Sequence, residues 1–217
     1  MDWTKLPKPI LILAPMEDVT DTVFRRIVAR RARPDVFVTE FTNVEGLFSK
    51  GHDVVAQRLK YTEEERPIVA QVWGNNPKTF YKAAQLIVEM GFDGMDINMG
   101  CPQKNIVKSG AGACLINEPN LVREIIQATR EGISFASRVL ARNYKTFPLS
   151  IKTRLGNRTI QTEEWIGFLL SCDIDALTIH GRTAKEMSKV PAHWDEIGKA
   201  VKLRDAMKKP TIIIGNG

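Results

Sequence analysis

The chain has 217 residues, 43% hydrophobic and 26% charged, which is enough apolar material for a full-sized core and excludes a disordered or collagen-like chain. Apolar runs such as Ile10 to Met16 fall far short of the ~20 residues of a membrane-spanning helix, and the start, Met-Asp-Trp-Thr-Lys-Leu-Pro, lacks the apolar core of a secretory signal, so a cytoplasmic protein with no membrane partner is expected. Thirty-one Lys and Arg against 25 Asp and Glu leave a formal charge of +6, which suits a phosphate-bearing partner without requiring one.

Seven apolar runs read as strands in chain order: Ile10 to Met16, Val36 to Phe41, Pro67 to Trp73, Gly94 to Met99, Leu149 to Arg154, Ala176 to His180 and Pro210 to Ile214. Arg25, Arg26, Arg30, Arg31 and Arg33 cluster around the helix after the first strand, and Lys199, Lys202, Arg204, Lys208 and Lys209 near the end. Each cluster reads as a solvated helix face. His52 to Arg66 is a polar connection. Between the third and fourth strands, Asn76 caps a helix that begins with Pro77, with Phe80, Ala83, Ala84 and Ile87 as its buried stripe. Val122, Ile125, Ile126 and Thr129 repeat that spacing after the fourth strand, and Gly132 stands where a helix stop belongs.

Strand and helix alternating in this way predict an α/β protein with a parallel sheet, either an open doubly wound sheet or a closed TIM (β/α)8 barrel. The one glycine-rich run, Ser109 to Ala113, lacks the G-x-G-x-x-G spacing of a nucleotide-binding open sheet, so the barrel is expected. At about 30 residues per strand-helix unit, the chain reads as a single domain, 1–217, cut just after the seventh barrel strand.

In a barrel every second strand residue enters the lumen, and ligands are met at the carboxyl ends. Gln71, Asn98, Lys152 and His180 occupy such places on four neighbouring strands, with Asp96 on the face of Asn98. Their convergence on one cavity at equivalent positions is predicted. In Asp96-Ile97-Asn98-Met99-Gly100-Cys101-Pro102, Gly100 permits a sharp exit from the strand and Pro102 ends it, presenting Cys101 at the mouth as a nucleophile or a proton donor. The only other cysteines, Cys114 and Cys172, read as inert. No C-x-x-C pair is present, which argues against disulfides and a structural zinc site. No metal is expected.

Ala14-Pro15-Met16 with Val19-Thr20-Asp21, Gln71-Val72-Trp73-Gly74, Asp96 to Pro102, Gly110-Ala111-Gly112, Ile151 to Arg154 and Ile179-His180-Gly181-Arg182-Thr183 resemble, in order and spacing, the tRNA-dihydrouridine synthases. The resemblance runs over essentially the whole chain. It implies an FMN-binding TIM-barrel catalytic domain that reduces particular uridines of tRNA with electrons from NADPH, acting as a monomer. Pro15, Met16 and Glu17 would then lie along the flavin ring, Gln71 and Lys152 at its polar edge, and His180 towards its phosphate side. Asn216 and Gly217 would begin the phosphate-binding turn, Asn98 and Arg182 would contact the substrate, and Cys101 would be the general acid. Glu17 and Asp18 depart from the small residue many members have after Ala-Pro-Met. The rest of the barrel and the family's C-terminal helical tRNA-binding domain lie outside this sequence. The competing readings are another FMN barrel, such as a dihydroorotate dehydrogenase or an ene-reductase, and a non-redox RNA-binding barrel.

Overall fold

The computed structural model describes residues 1–140 and 147–217. Its strands are β1 (Ile12–Leu13), β2 (Val36–Val38), β3 (Thr42–Asn43), β4 (Ile68–Trp73), β5 (Gly94–Met99), β6 (Leu149–Arg154), β7 (Ala176–His180) and β8 (Ile212–Asn216). Helices α1 (Thr22–Arg31), α2 (His52–Val55), α3 (Pro77–Glu89), α4 (Lys104–Lys108), α5 (Pro119–Val139), α6 (Gly167–Ser171) and α7 (Trp194–Ala206) alternate with them. Every pairing is parallel, and the strands follow the order β1-β2-β4-β5-β6-β7-β8 with β3 also against β4. β2 and β3 pair with successive parts of β4 and so share one barrel position. All seven positions face one lumen, because residues from β1 through β8 line the same cavity. This is the TIM-barrel architecture the alternation predicts.

Four of the seven strand bounds differ from the sequence expectation, the third run only in that its strand begins at Ile68 and not at Pro67. Only Ile12–Leu13 of the first apolar run pairs as strand, since Pro9 and Pro15 bring no N–H to a ladder and the Leu11 N–H bonds the Asp35 carboxylate at 2.7 Å. The run from Val36 breaks after Val38 and resumes at Thr42. The last strand is shifted to Ile212–Asn216 because its ladder begins where the Ile212 N–H reaches the Asp175 carbonyl at 3.0 Å.

The α3 start agrees with the sequence, Asn76 Oδ1 accepting from the Lys78 N–H at 3.0 Å, with Phe80, Ala83, Ala84 and Ile87 buried. Gly132, by contrast, does not stop a helix: α5 runs through it to Val139. Its missing side chain serves packing against α3, since a Cβ there would lie 2.3 Å from the Tyr81 carbonyl oxygen. Gly132→Ala improves helix propensity yet should lower stability by about 1–3 kcal/mol through overpacking. A urea midpoint at or above wild type would refute the close-packing role.

Arg25 is the larger surprise. Instead of a solvated face it is fully buried, its Nε donating to Glu65 Oε2 at 2.5 Å, Nη1 to the Thr20 carbonyl at 2.6 Å and Nη2 to the Lys60 carbonyl at 2.7 Å. Glu65 Oε1 accepts from Thr22 Oγ1 at 2.6 Å and the Thr62 N–H at 2.8 Å. The outer cations of the cluster meet Glu64, which receives Arg30 at 3.0 Å and Arg26 at 3.8 Å. Near the end, Lys199 pairs with Glu196 and Arg204 with Asp205. Among the described residues, no helix is long and apolar enough to cross a membrane.

Candidate active site at the carboxyl ends of the strands

A cavity of about 200 Å³ occupies the lumen. Ile12, Val38, Val69 and Ile214 give apolar walls, and Gln71, Asp96, Ser150 and Lys152 form a polar edge; Pro15 and Asn216 also line it. Of the four polar residues predicted to converge on one cavity, Gln71 and Lys152 line it and Asn98 and His180 do not; strand register sets them at different levels. Register places Gln71 beside Asp96 and Asp96 beside Ser150, then Asn98 beside Lys152 and Lys152 beside Thr178, then Arg154 beside His180 and His180 beside Asn216. Because lumen residues recur every second position, Gln71 lies one layer below Asn98 and Lys152, and His180 one layer above them. That corrects the expectation of equivalent positions.

The lowest layer anchors the rest. Asp96, 4% exposed, accepts from Ser150 Oγ at 2.6 Å and from Gln71 Nε2 at 2.7 Å. Gln71 Oε1 accepts from Asn98 Nδ2 at 3.0 Å, and Asn98 Oδ1 accepts from the N–H groups of Gly100 and Cys101 at 3.1 and 3.0 Å. Burial raises the Asp96 carboxyl to about 6, with the Ser150 and Gln71 hydrogen bonds and the Lys152 charge opposing it. Burial likewise lowers Lys152 to about 8 against the pull of Asp96. Each charge opposes the desolvation of the other, so the two groups favour being ionised together.

Cys101 sits half-buried at the exit of β5. Its segment is fastened three ways: by Asn98, by Arg154 Nε on the Gly100 carbonyl at 2.8 Å, and by the Ala113 N–H on the Cys101 carbonyl at 2.9 Å. The last contact requires Gly112, at φ +59°, where a Cβ would lie 2.7 Å from the Cys101 carbonyl oxygen. Burial pushes the thiol above its ordinary range, the Glu17 charge adds to this, and the Gln103 N–H, Arg154 and Lys152 oppose it. The thiol is protonated at neutral pH, as a proton donor must be.

Glu17 and Asp18 are paired. Glu17 accepts from Gln103 Nε2 at 2.8 Å and meets Arg58 at 3.3 Å, and Asp18 meets the same Arg58 at 3.3 Å. The Glu17 carboxylate thus ties the end of β1 to the segment after Cys101, while Met16 beside it is exposed. Above the lumen, Arg182 donates from Nη1 to His180 Nε2 at 2.9 Å and from Nε to the Val190 carbonyl at 2.5 Å. Burial and the charges of Arg154, Lys152 and Arg182 push His180 down to about 3, so its ring is neutral and, given the Arg182 donor, carries its proton on Nδ1. Asn98, Cys101, His180, Arg182, Met16, Glu17 and Gly217 stand outside the cavity lining itself.

Two residues of this site carry no distinct signal in the sequence. Asp96 reads there only as a neighbour of Asn98. Arg154, 8% exposed, is held by the carbonyls of Gly100, Thr183 and Met187. Its spacing of two from Lys152 was the available signal. Among the described residues, no carboxylate makes a direct ion pair with Lys152, Arg154 or Arg182, and no group of three or more His, Cys, Asp and Glu is placed to hold a metal.

Parallel strands around one lumen, with an amide, a lysine and a thiol at their carboxyl ends, define a TIM-barrel protein whose ligand site lies at that end. The fold is similar to that of a morphinone reductase mutant solved in complex with tetrahydroNAD, with a TM-score of 0.57, 13% identity, and 98% of this chain and 78% of that chain covered. Residues 12–217 match the family model described as dihydrouridine synthase; the chain belongs to that family. It is 46% identical to the probable tRNA-dihydrouridine synthase 2 of Bacillus subtilis (strain 168), over 99% of this chain and 63% of that protein. It is also 46% identical to the probable tRNA-dihydrouridine synthase of Staphylococcus aureus (strain COL), over 99% of this chain and 62% of that protein. The chain thus spans less than two thirds of the length of these relatives.

Proposed function

We propose that the protein reduces uridines of tRNA to 5,6-dihydrouridine, with FMN as its flavin and NADPH as the electron donor. The observation that carries this reading is the Cys101 thiol, kept protonated by burial and fastened at the exit of β5, one strand from Lys152. The lumen fits a flat heteroaromatic ring, since its walls are apolar and its polar groups lie together at Gln71, Ser150 and Lys152. FMN, when bound, supplies hydride to one carbon of the uracil double bond.

The chain's own residues do the rest. Lys152 places positive charge where the reduced ring gathers negative charge, and Gln71 bonds the same polar edge. Pro15, Met16 and the Glu17 backbone would hold the ring along its length, the Glu17 carboxylate being committed to Arg58 and Gln103. His180, neutral and oriented by Arg182, would hold the phosphate side of the cofactor together with Asn216 and Gly217. Asn98 and Arg182 contact the substrate, and Cys101 delivers the proton to the second carbon. The base must leave the stacked tRNA to reach the lumen.

Full-length protein should release FMN on denaturation and should be reoxidised by unmodified tRNA. Lys152→Ala should reduce flavin retention or its rate of reduction by NADPH by roughly 10- to 100-fold, the weight of a charge-assisted hydrogen bond. A flavin-free extract, or dihydroorotate or a simple enone outperforming tRNA, would overturn the reading.

A further inference from the structure

The Asp96 carboxylate plays no part in binding or proton transfer above, yet it stands at one end of a continuous chain. Ser150 Oγ and Gln71 Nε2 donate to it, Asn98 Nδ2 donates to Gln71 Oε1, and the Gly100 and Cys101 N–H groups donate to Asn98 Oδ1. Gln71, Asp96 and Asn98 are all buried, so their hydrogen bonds are made chiefly to one another and to the neighbouring main chain. An ionised carboxylate only accepts, and a backbone N–H only donates. Between those two fixed ends the Gln71 and Asn98 amides have one orientation each. Turning Gln71 over would set its oxygen against the Asp96 carboxylate and its NH2 against that of Asn98.

We infer that Asp96 is a positioning residue: it fixes the Gln71 and Asn98 amides and, through them, the main chain that carries Cys101. Its catalytic consequence rests on the reading under Proposed function, whereas the positioning does not. The chain joins a residue at the flavin edge to the segment of the proton donor, so both sides of the reacting base are set by one buried acceptor. A different role for Asp96, as counter-charge to Lys152 alone, depends on its ionisation and not on its acceptor oxygen.

Substitutions in the full-length protein separate the two. Asp96→Leu, close to Asp in shape, removes the acceptor. Asp96→Asn removes the charge but keeps an oxygen for Gln71 Nε2, because the Ser150 hydroxyl can accept from the new NH2. Alkylation of Cys101 by iodoacetamide, located by mass spectrometry, reports how firmly its segment is held and needs neither flavin nor tRNA. Asp96→Leu should raise the Cys101 alkylation rate by about 5-fold, the weight of one hydrogen bond, and Asp96→Asn should stay within about 2-fold of wild type. Reoxidation by tRNA should follow the same order. Equal alkylation in Asp96→Leu and wild type, or an Asp96→Asn effect as large as that of Asp96→Leu, would overturn the inference. If Asp96→Leu does not fold, Gln71→Leu cuts the chain one link further on and must give the same rise; unchanged alkylation there overturns it equally. A flavin-free protein that still shows the Leu and Asn contrast would sink the proposed reaction and leave the positioning role standing.

Discussion

Replacing Cys101 by Ala in the full-length protein should slow reoxidation of the reduced flavin by tRNA by roughly 100-fold or more, the usual scale for loss of a general acid. Flavin content and reduction by NADPH should stay nearly unchanged, since neither needs that proton. The substitution is local because the segment is held by its main chain: Asn98, Arg154 and Ala113 all bond backbone atoms of Gly100 or Cys101. The pH dependence follows from the thiol being raised above its ordinary value by burial. The donating form is present at neutral pH and is lost only as pH rises past the usual thiol range, so the Cys101 contribution to the rate, read as the ratio of wild type to Cys101→Ala, should be flat around neutrality and fall on the alkaline side. Stopped-flow absorbance follows the two half-reactions separately. A Cys101→Ala protein reoxidised as fast as wild type would remove the thiol from the chemistry.

Glu65→Ala should cost about 3–5 kcal/mol of unfolding free energy, the usual consequence of leaving one partner of a buried ion pair uncompensated. Arg25 and Glu65 are both at 0% side-chain exposure, and Arg25 keeps only the carbonyls of Thr20 and Lys60 once the carboxylate is gone. Replacing both, Arg25→Met with Glu65→Leu, should recover much of the loss because no buried charge remains. Denaturant melts of the three proteins test this; a single variant as stable as wild type would show that the pair is not energetically coupled. The effect should reach the site. Thr20, whose carbonyl accepts from Arg25, also accepts the Met16 N–H at 2.9 Å through its hydroxyl, so weaker flavin retention should accompany the loss of stability.

Local chemistry alone made much of this protein legible. Apolar runs of period two and stripes of period 3.6 announce strands and helices wherever they occur, so the strands at Gly94–Met99, Leu149–Arg154 and Ala176–His180 have the expected bounds. Asn76 before Pro77 caps a helix with groups that lie within two residues of each other. Gly100 and Pro102 turn the chain at Cys101, and alternation brings Gln71 and Lys152 to the lumen.

Other features depended on partners far along the chain. Arg25 and Glu65 are 40 residues apart, Arg154 and Gly100 are 54 apart, and Glu17 and Gln103 are 86 apart. A guanidinium looks the same in sequence whether it meets water or a buried carboxylate, and Gly132 reads as a helix stop until α3 is known to press against it. The three layers of the site, and the single acceptor at Asp96 that orders the Gln71 amide beside it and the Asn98 amide above, likewise exist only once parallel strands take their register. Periodicity and turn chemistry are local free-energy preferences, readable residue by residue; burial, charge compensation and register belong to pairs of segments, and only the folded chain brings those pairs together.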